Sequence, residues 1–242
     1  MHLPYFILLF GLFASFLSMV EQNRWHALGF RPISIRLIQL ITGLIIGTLV
    51  TLTLVGVNTL INDVEWIFVP ITTAKRFVGV FLYQLGKASF IELIFRGILL
   101  IFLLKYLSKK WAIFLAAVLY MIYQSVPYVF DNFFWISSLL QTLRTFTFGL
   151  VMAYAFYQSE SLLACIGIHV SWLYGHALFY SAVPSGRLLF MENNLLKHPG
   201  GNFPFYIDVL ISAGYILLSA FLLYLGIRYL LHRPKKIIYI QV

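Results

Sequence analysis

Seven polar side chains lie in stretches of this chain otherwise built from hydrocarbon: Glu92, Arg96, Gln124, Gln141, Arg144, His169 and His176. An ionisable group at membrane depth costs several kcal/mol, about 3 or more, so each needs a partner or a task. Glu92 and Arg96 are four residues apart and share a helix face, with the acid before the base as a helical ion pair prefers. His169 and His176 are seven apart and also share a face. Gln141 and Arg144 are three apart. A carboxylate and an imidazole can activate a water for hydrolysis. The same groups can instead satisfy one another and lock helices together, and spacing alone favours that second reading. A metal would need three or four ligands, and only Glu92, His169 and His176 are candidates. The chain has no His-Glu-x-x-His pair on one helix, so we expect no cofactor, with zinc the one weak alternative.

The elements that must hold these groups follow from composition. Of 242 residues, 61% are hydrophobic and 10% charged, where a soluble domain has roughly a quarter charged. Mean hydropathy is +0.91. A soluble fold could not hide that much apolar surface, so the chain reads as an all-α polytopic membrane bundle whose first partner is the lipid bilayer. A single cysteine, Cys165, excludes an internal disulfide and is expected to act as a small buried apolar residue. The net charge is +9, but it sits in short loops rather than in a basic arm interleaved with aromatics, which argues against nucleic acid.

A helix of about 20 apolar residues crosses a bilayer. Seven runs qualify: Leu3–Val20, Ile35–Ile61, Phe77–Tyr106, Trp111–Val129, Ile136–Tyr157, Ser161–Ser181 and Phe205–Leu231. The third is long and interrupted by Gln84, Gly86 and Lys87. Ser89 and Glu92 have the spacing of a capping box, so a helix start there would give eight helices rather than seven. Only His2 precedes the first run, so an uncleaved span is expected there. Arg24, Arg31 and Arg36, then Lys105, Lys109 and Lys110, then Arg228, Arg233, Lys235 and Lys236 mark alternate ends. That pattern predicts the N-terminus outside and the C-terminus in the cytoplasm, against which Lys75 and Arg76, and the loop near Glu160 with no basic residue, stand as exceptions. Trp25, Trp66, Trp111 and Trp135 fall near span ends, as interface aromatics do. Gly43-x-x-x-Gly47 predicts close helix packing. The stretch Val183–Pro204 reads as a loop, and residues 1–242 as one domain.

The run Ser-Phe-Ile-Glu-Leu-Ile-Phe-Arg-Gly-Ile-Leu at Ser89–Leu99 resembles the first motif, Glu-Glu-x-x-x-Arg, of the CAAX-protease and bacteriocin-processing (CPBP, or Abi) family. Ala27–Arg31, Phe148–Tyr154, Ser161–Leu163 and Gly167–His169 resemble further family segments in order, so the similarity extends over about 24–231. The resemblance implies a helical bundle with its site between helices near one membrane face. There a motif-one Glu and a motif-two His would activate water, and a motif-three His and Asn would hold the oxyanion. Carried over residue by residue, Glu92, Arg96 and His169 match. Ile91 stands at the first Glu, Gln124 at the motif-two His, in Tyr120-x-x-x-Gln124, and Leu173 at the motif-three Asn. Losing a general base removes about 100- to 10,000-fold in rate. Losing an oxyanion donor removes about 100- to 1,000-fold.

The expected protein is therefore a CPBP-type pseudoenzyme in a bacterial plasma membrane, binding or regulating a membrane-proximal peptide or another membrane protein, with bacteriocin immunity among the family's roles. Glu92 and His169 are the candidate catalytic residues. Arg96, Gln124, Ile91, Leu173, Trp172, His176 and Arg144 would shape the site, with Gln124 placed to bond His169 if the helices meet as in the family. The alternative is an active intramembrane endopeptidase with altered chemistry. A transporter is least favoured, because no pair of Gly- or Pro-broken helices is evident.

Overall fold

The computed structural model describes residues 28, 32–69, 73–131, 135–180, 188–192 and 205–231, and the backbone alone at 126–131, 135, 137, 192 and 205. The predicted span Leu3–Val20 lies outside the described residues, as do Arg24 and Trp25. The elements are α1 (Ile33–Asn62), β1 (Trp66–Phe68), α2 (Ala74–Glu92), a π-helical segment (Leu93–Leu100), α3 (Ile101–Tyr106), α4 (Lys109–Asp131), α5 (Trp135–Ser159), α6 (Leu162–Phe179), β2 (Phe190–Glu192) and α7 (Phe205–Leu230). The class is all-α as expected. Helices α1, α6 and α7 are long and apolar enough to cross a membrane.

α2, the π segment and α3 follow one another without a break through 74–106. The split that the capping-box spacing suggested does not occur. Ser89 and Glu92 lie inside one continuous rod, whose start is capped at Thr73, with its hydroxyl accepting from the Arg76 N–H at 3.3 Å. The polar interruption is harmless because Gly86 and Lys87 lie on the exposed face while Val80, Gln84, Ala88 and Ile91 keep one buried stripe. At about 1.5 Å per residue the rod is roughly 50 Å long, well beyond a hydrocarbon core of about 30 Å. Among the described residues this makes six helical rods, so the expected count of seven to eight rests partly on a span that is not described.

A small sheet interrupts the all-helical expectation. β1 and β2 pair antiparallel with Trp66 opposite Glu192, Ile67 opposite Met191 and Phe68 opposite Phe190. Part of the predicted loop Val183–Pro204 is thus a strand. Leu188 and Leu189 tie it to α6 by donating to the carbonyls of Ala177 and Leu178. Trp66 packs edge-on against Phe179 and Tyr180 and donates through Nε1 to the Thr59 hydroxyl at 2.7 Å.

α6 is the axis of the bundle. α1 runs parallel to it at very close range: a Cβ at Gly43 would strike the Ala164 carbonyl oxygen, and one at Gly47 would strike the Ser171 hydroxyl. Gly167 reciprocates, because its Cβ would strike the Leu40 carbonyl oxygen. The Gly43-x-x-x-Gly47 spacing therefore does what it predicts: small residues let two backbones touch. The 74–106 rod runs antiparallel to α6, with Phe81 against Tyr174 and Glu92 against His169. α4 and α5 pair antiparallel beyond it, with the Ser125 and Thr145 hydroxyls 3.3 Å apart. Cys165 is fully buried, as expected of a small apolar residue.

Candidate functional site

Glu92 is the last residue of regular α-helix before the π segment. Ile91 and Glu92 are thus successive positions of one α-helix and diverge by about 100°. Both are buried, but Glu92 does not take the direction of Ile91. The Glu92 carboxylate is fully enclosed at 0% exposure, with Arg96 and His169 at 2% each. Arg96 reaches back one turn, Nε to Oε2 at 3.3 Å and a terminal nitrogen to Oε1 at 3.3 Å. His169 approaches from α6, its Nδ1 2.5 Å from Oε1. An ionised carboxylate can only accept, so Nδ1 is the donor and a neutral ring keeps its lone pair on Nε2.

The surroundings hold this node in place. The Arg96 guanidinium lies 4.5 Å over the Tyr120 ring and donates to the Gly149 carbonyl at 3.5 Å. Phe148 packs edge-on against the His169 ring at 5.1 Å. Sequence pattern alone gives neither Tyr120 nor Phe148 a chemical role. Tyr120 was in plain view inside the second motif, but nothing in its spacing announced a cation above its ring. The bond expected between Gln124 and His169 is not made. Gln124 lies half-buried on α4 and donates to the Tyr120 hydroxyl at 3.1 Å, one helical turn away. Leu173, half-buried, and Ile91 pack with the apolar core. Among the described residues, no three His, Cys, Asp or Glu side chains converge. Among the described residues Glu92 and His169 are two potential ligands, where a structural or catalytic zinc takes three or four.

The other predicted site residues gather elsewhere. A cavity of about 530 Å³ between α1, α5, α6 and α7 is lined by Arg144, Gln141, Trp172 and His176, with Asn58 and Tyr215. Its lining includes neither Glu92 nor His169. Trp172 stands between the two places, 5.6 Å from Phe148 on one side and 4.6 Å from His176 on the other. His169 and His176 lie two turns apart on α6, but one residue is buried in the node and the other opens on the cavity. Asn58, Tyr180, Ser212, Tyr215 and Ser219 also line it. They were missed because they come from three helices and form no local pattern.

No curated protein matches the chain. Residues 72–174, which hold Glu92, Arg96, Gln124 and His169, match the Rce1-like family of type II CAAX prenyl endopeptidases, and this agrees with the resemblance carried by the motif around Glu92.

Proposed function

We propose that this CAAX-protease-like membrane protein is a pseudoenzyme that binds or regulates a membrane-proximal peptide or another membrane protein. It sits in a bacterial plasma membrane as a single domain, with the N-terminus outside and the C-terminus in the cytoplasm. The observation that carries this reading is the state of Glu92. Both its oxygens face Arg96 or His169, and it is fully enclosed. A general base must reach the proton it removes, directly or through one water. Here Oε1 is held by His169 and Arg96, Oε2 lies 3.3 Å from the Arg96 Nε without a hydrogen bond, the carboxylate is buried, and Ile91, at the family's first Glu position, cannot accept a proton. No cofactor is required by this reading.

One observation favours the alternative of an active endopeptidase. A carboxylate against Nδ1 is how a catalytic histidine is oriented, with Nε2 left to act on a substrate. That reading still lacks the oxyanion donor at Leu173 and a second base at Gln124.

The test is restoration. Ile91→Glu, Gln124→His and Leu173→Asn are combined in full-length protein in proteoliposomes, and cleavage of a prenylated peptide is followed by mass spectrometry. We expect no cleavage by the native chain and measurable cleavage by the triple variant. Native cleavage equal to that of the triple variant would overturn the pseudoenzyme reading.

A further inference from the structure

A charged side chain stands on the outside of the bundle at a level where hydrocarbon is expected. Lys87 is exposed, well inside the 74–106 rod. Its level follows from the contacts of that rod with α6. Phe81 meets Tyr174 on one side of Lys87, and Glu92 meets His169 on the other. Those two α6 residues bracket the middle of Leu162–Phe179, a helix long and apolar enough to cross a membrane. Lys87 therefore lies near mid-depth, away from the helix ends where lysines snorkel to the interface. The surface around it is apolar, with Leu82, Tyr83 and Phe90 all exposed. A Cβ added at Gly86 would meet nothing within 4 Å, so the flank beside Lys87 is open. The one acid of the rod, Glu92, is buried on its other side and held by Arg96 and His169.

We propose that this face of the rod docks a transmembrane helix of another protein, one that carries an aspartate or glutamate at mid-membrane depth to pair with Lys87. Ionisable side chains inside a membrane pair with one another or mark a pathway. Lys87 is outside the lining of the cavity at Arg144, and its exposed surroundings are apolar, which favours pairing. An ammonium only donates and a carboxylate only accepts, so the two satisfy each other when the helices meet. Leu82, Tyr83 and Phe90 supply the apolar contacts around the pair. A second copy of this chain does not fit, because a two-fold dimer about the membrane normal sets this face against itself and Lys87 against Lys87. The inference rests on the binding reading above and names the class of partner. It concerns the opposite side of the rod from Glu92, so a failed docking test leaves the cleavage result untouched, and the reverse also holds.

The test places the full chain in phosphatidylcholine liposomes with synthetic single-span helices of leucine and alanine that carry glutamate, leucine or lysine at the centre. Association is followed by energy transfer between a label on the protein and one on the peptide. The glutamate helix is expected to associate about tenfold more tightly than the leucine helix, as a charged hydrogen bond allows. The lysine helix should associate least. Lys87→Leu should remove the advantage of the glutamate helix, and Lys87→Glu should transfer it to the lysine helix. Lys110→Gln, which removes an exposed cation at the start of α4, should leave it unchanged. Equal association of the three helices with the native chain, an advantage that survives Lys87→Leu, or an equal loss in Lys110→Gln would overturn the proposal. Loss of the advantage in phosphatidylglycerol liposomes would also overturn it, because an anionic headgroup would then be the partner of Lys87. So would energy transfer between two labelled copies of the chain that disappears in Lys87→Leu, since the face would then serve self-association.

Discussion

Two polar regions lie on either side of Trp172, and they solve the problem of polarity in a membrane bundle in opposite ways. On one side Glu92, Arg96 and His169 neutralise one another and are almost wholly enclosed, with Tyr120 and Phe148 packed against them. On the other side Arg144, Gln141 and His176 face a cavity, and Arg144 is exposed. A closed node of this kind serves the fold, because removing one member leaves a buried charge without its partner. An open one leaves space beside its groups. In this chain the groups that match the family's first motif belong to the closed region, which is why kept motif residues need not mean kept chemistry.

The contrast should be largest in stability. Arg96→Leu is expected to cost about 3–5 kcal/mol by stranding the Glu92 carboxylate. Ser212→Ala, on the cavity wall, should fall within about 0.5 kcal/mol, because it breaks no buried ion pair. Denaturant unfolding in detergent measures both, and equal costs would abolish the distinction between the regions. A smaller effect is expected at the α1–α6 seam that holds the His169 helix. Gly43→Leu should cost about 1–3 kcal/mol through forced separation of the backbones. Gly214→Ala is a fitting control, since nothing lies within 4 Å of an added Cβ there. Smaller still is Gln124→Leu, expected to cost about 1 kcal/mol through the lost bond to Tyr120. A much larger loss by thermal melting would mean that Gln124 does more in the node than this one bond.

Much of this arrangement was legible in the chain itself. The apolar runs from Ile35 onward coincide with the helical rods, because a bilayer imposes length and hydropathy together. The i,i+4 spacing of Glu92 and Arg96 already specified their pairing. The contact between Glu92 and His169 was not legible, because it crosses between helices 77 residues apart in sequence. Gln124 was assigned to His169 by analogy with the family, whereas its nearest partner is one turn away on its own helix. The continuity of 74–106 is legible only in the face its polar residues occupy, with Gly86 and Lys87 exposed and Gln84 in the buried stripe. The strand Phe190–Glu192 has no alternating pattern of its own, and it exists because Trp66–Phe68 lies beside it.

The central claim is that Glu92 and His169 hold the bundle together and do no proteolysis. The most direct measurement places native protein, Glu92→Gln and His169→Gln in the same proteoliposomes and follows cleavage of prenylated and unprenylated peptides. The account predicts that all three match protein-free liposomes, while both variants unfold at lower denaturant than the native chain. Cleavage present in the native protein and abolished by either substitution, in variants that remain folded, would contradict it.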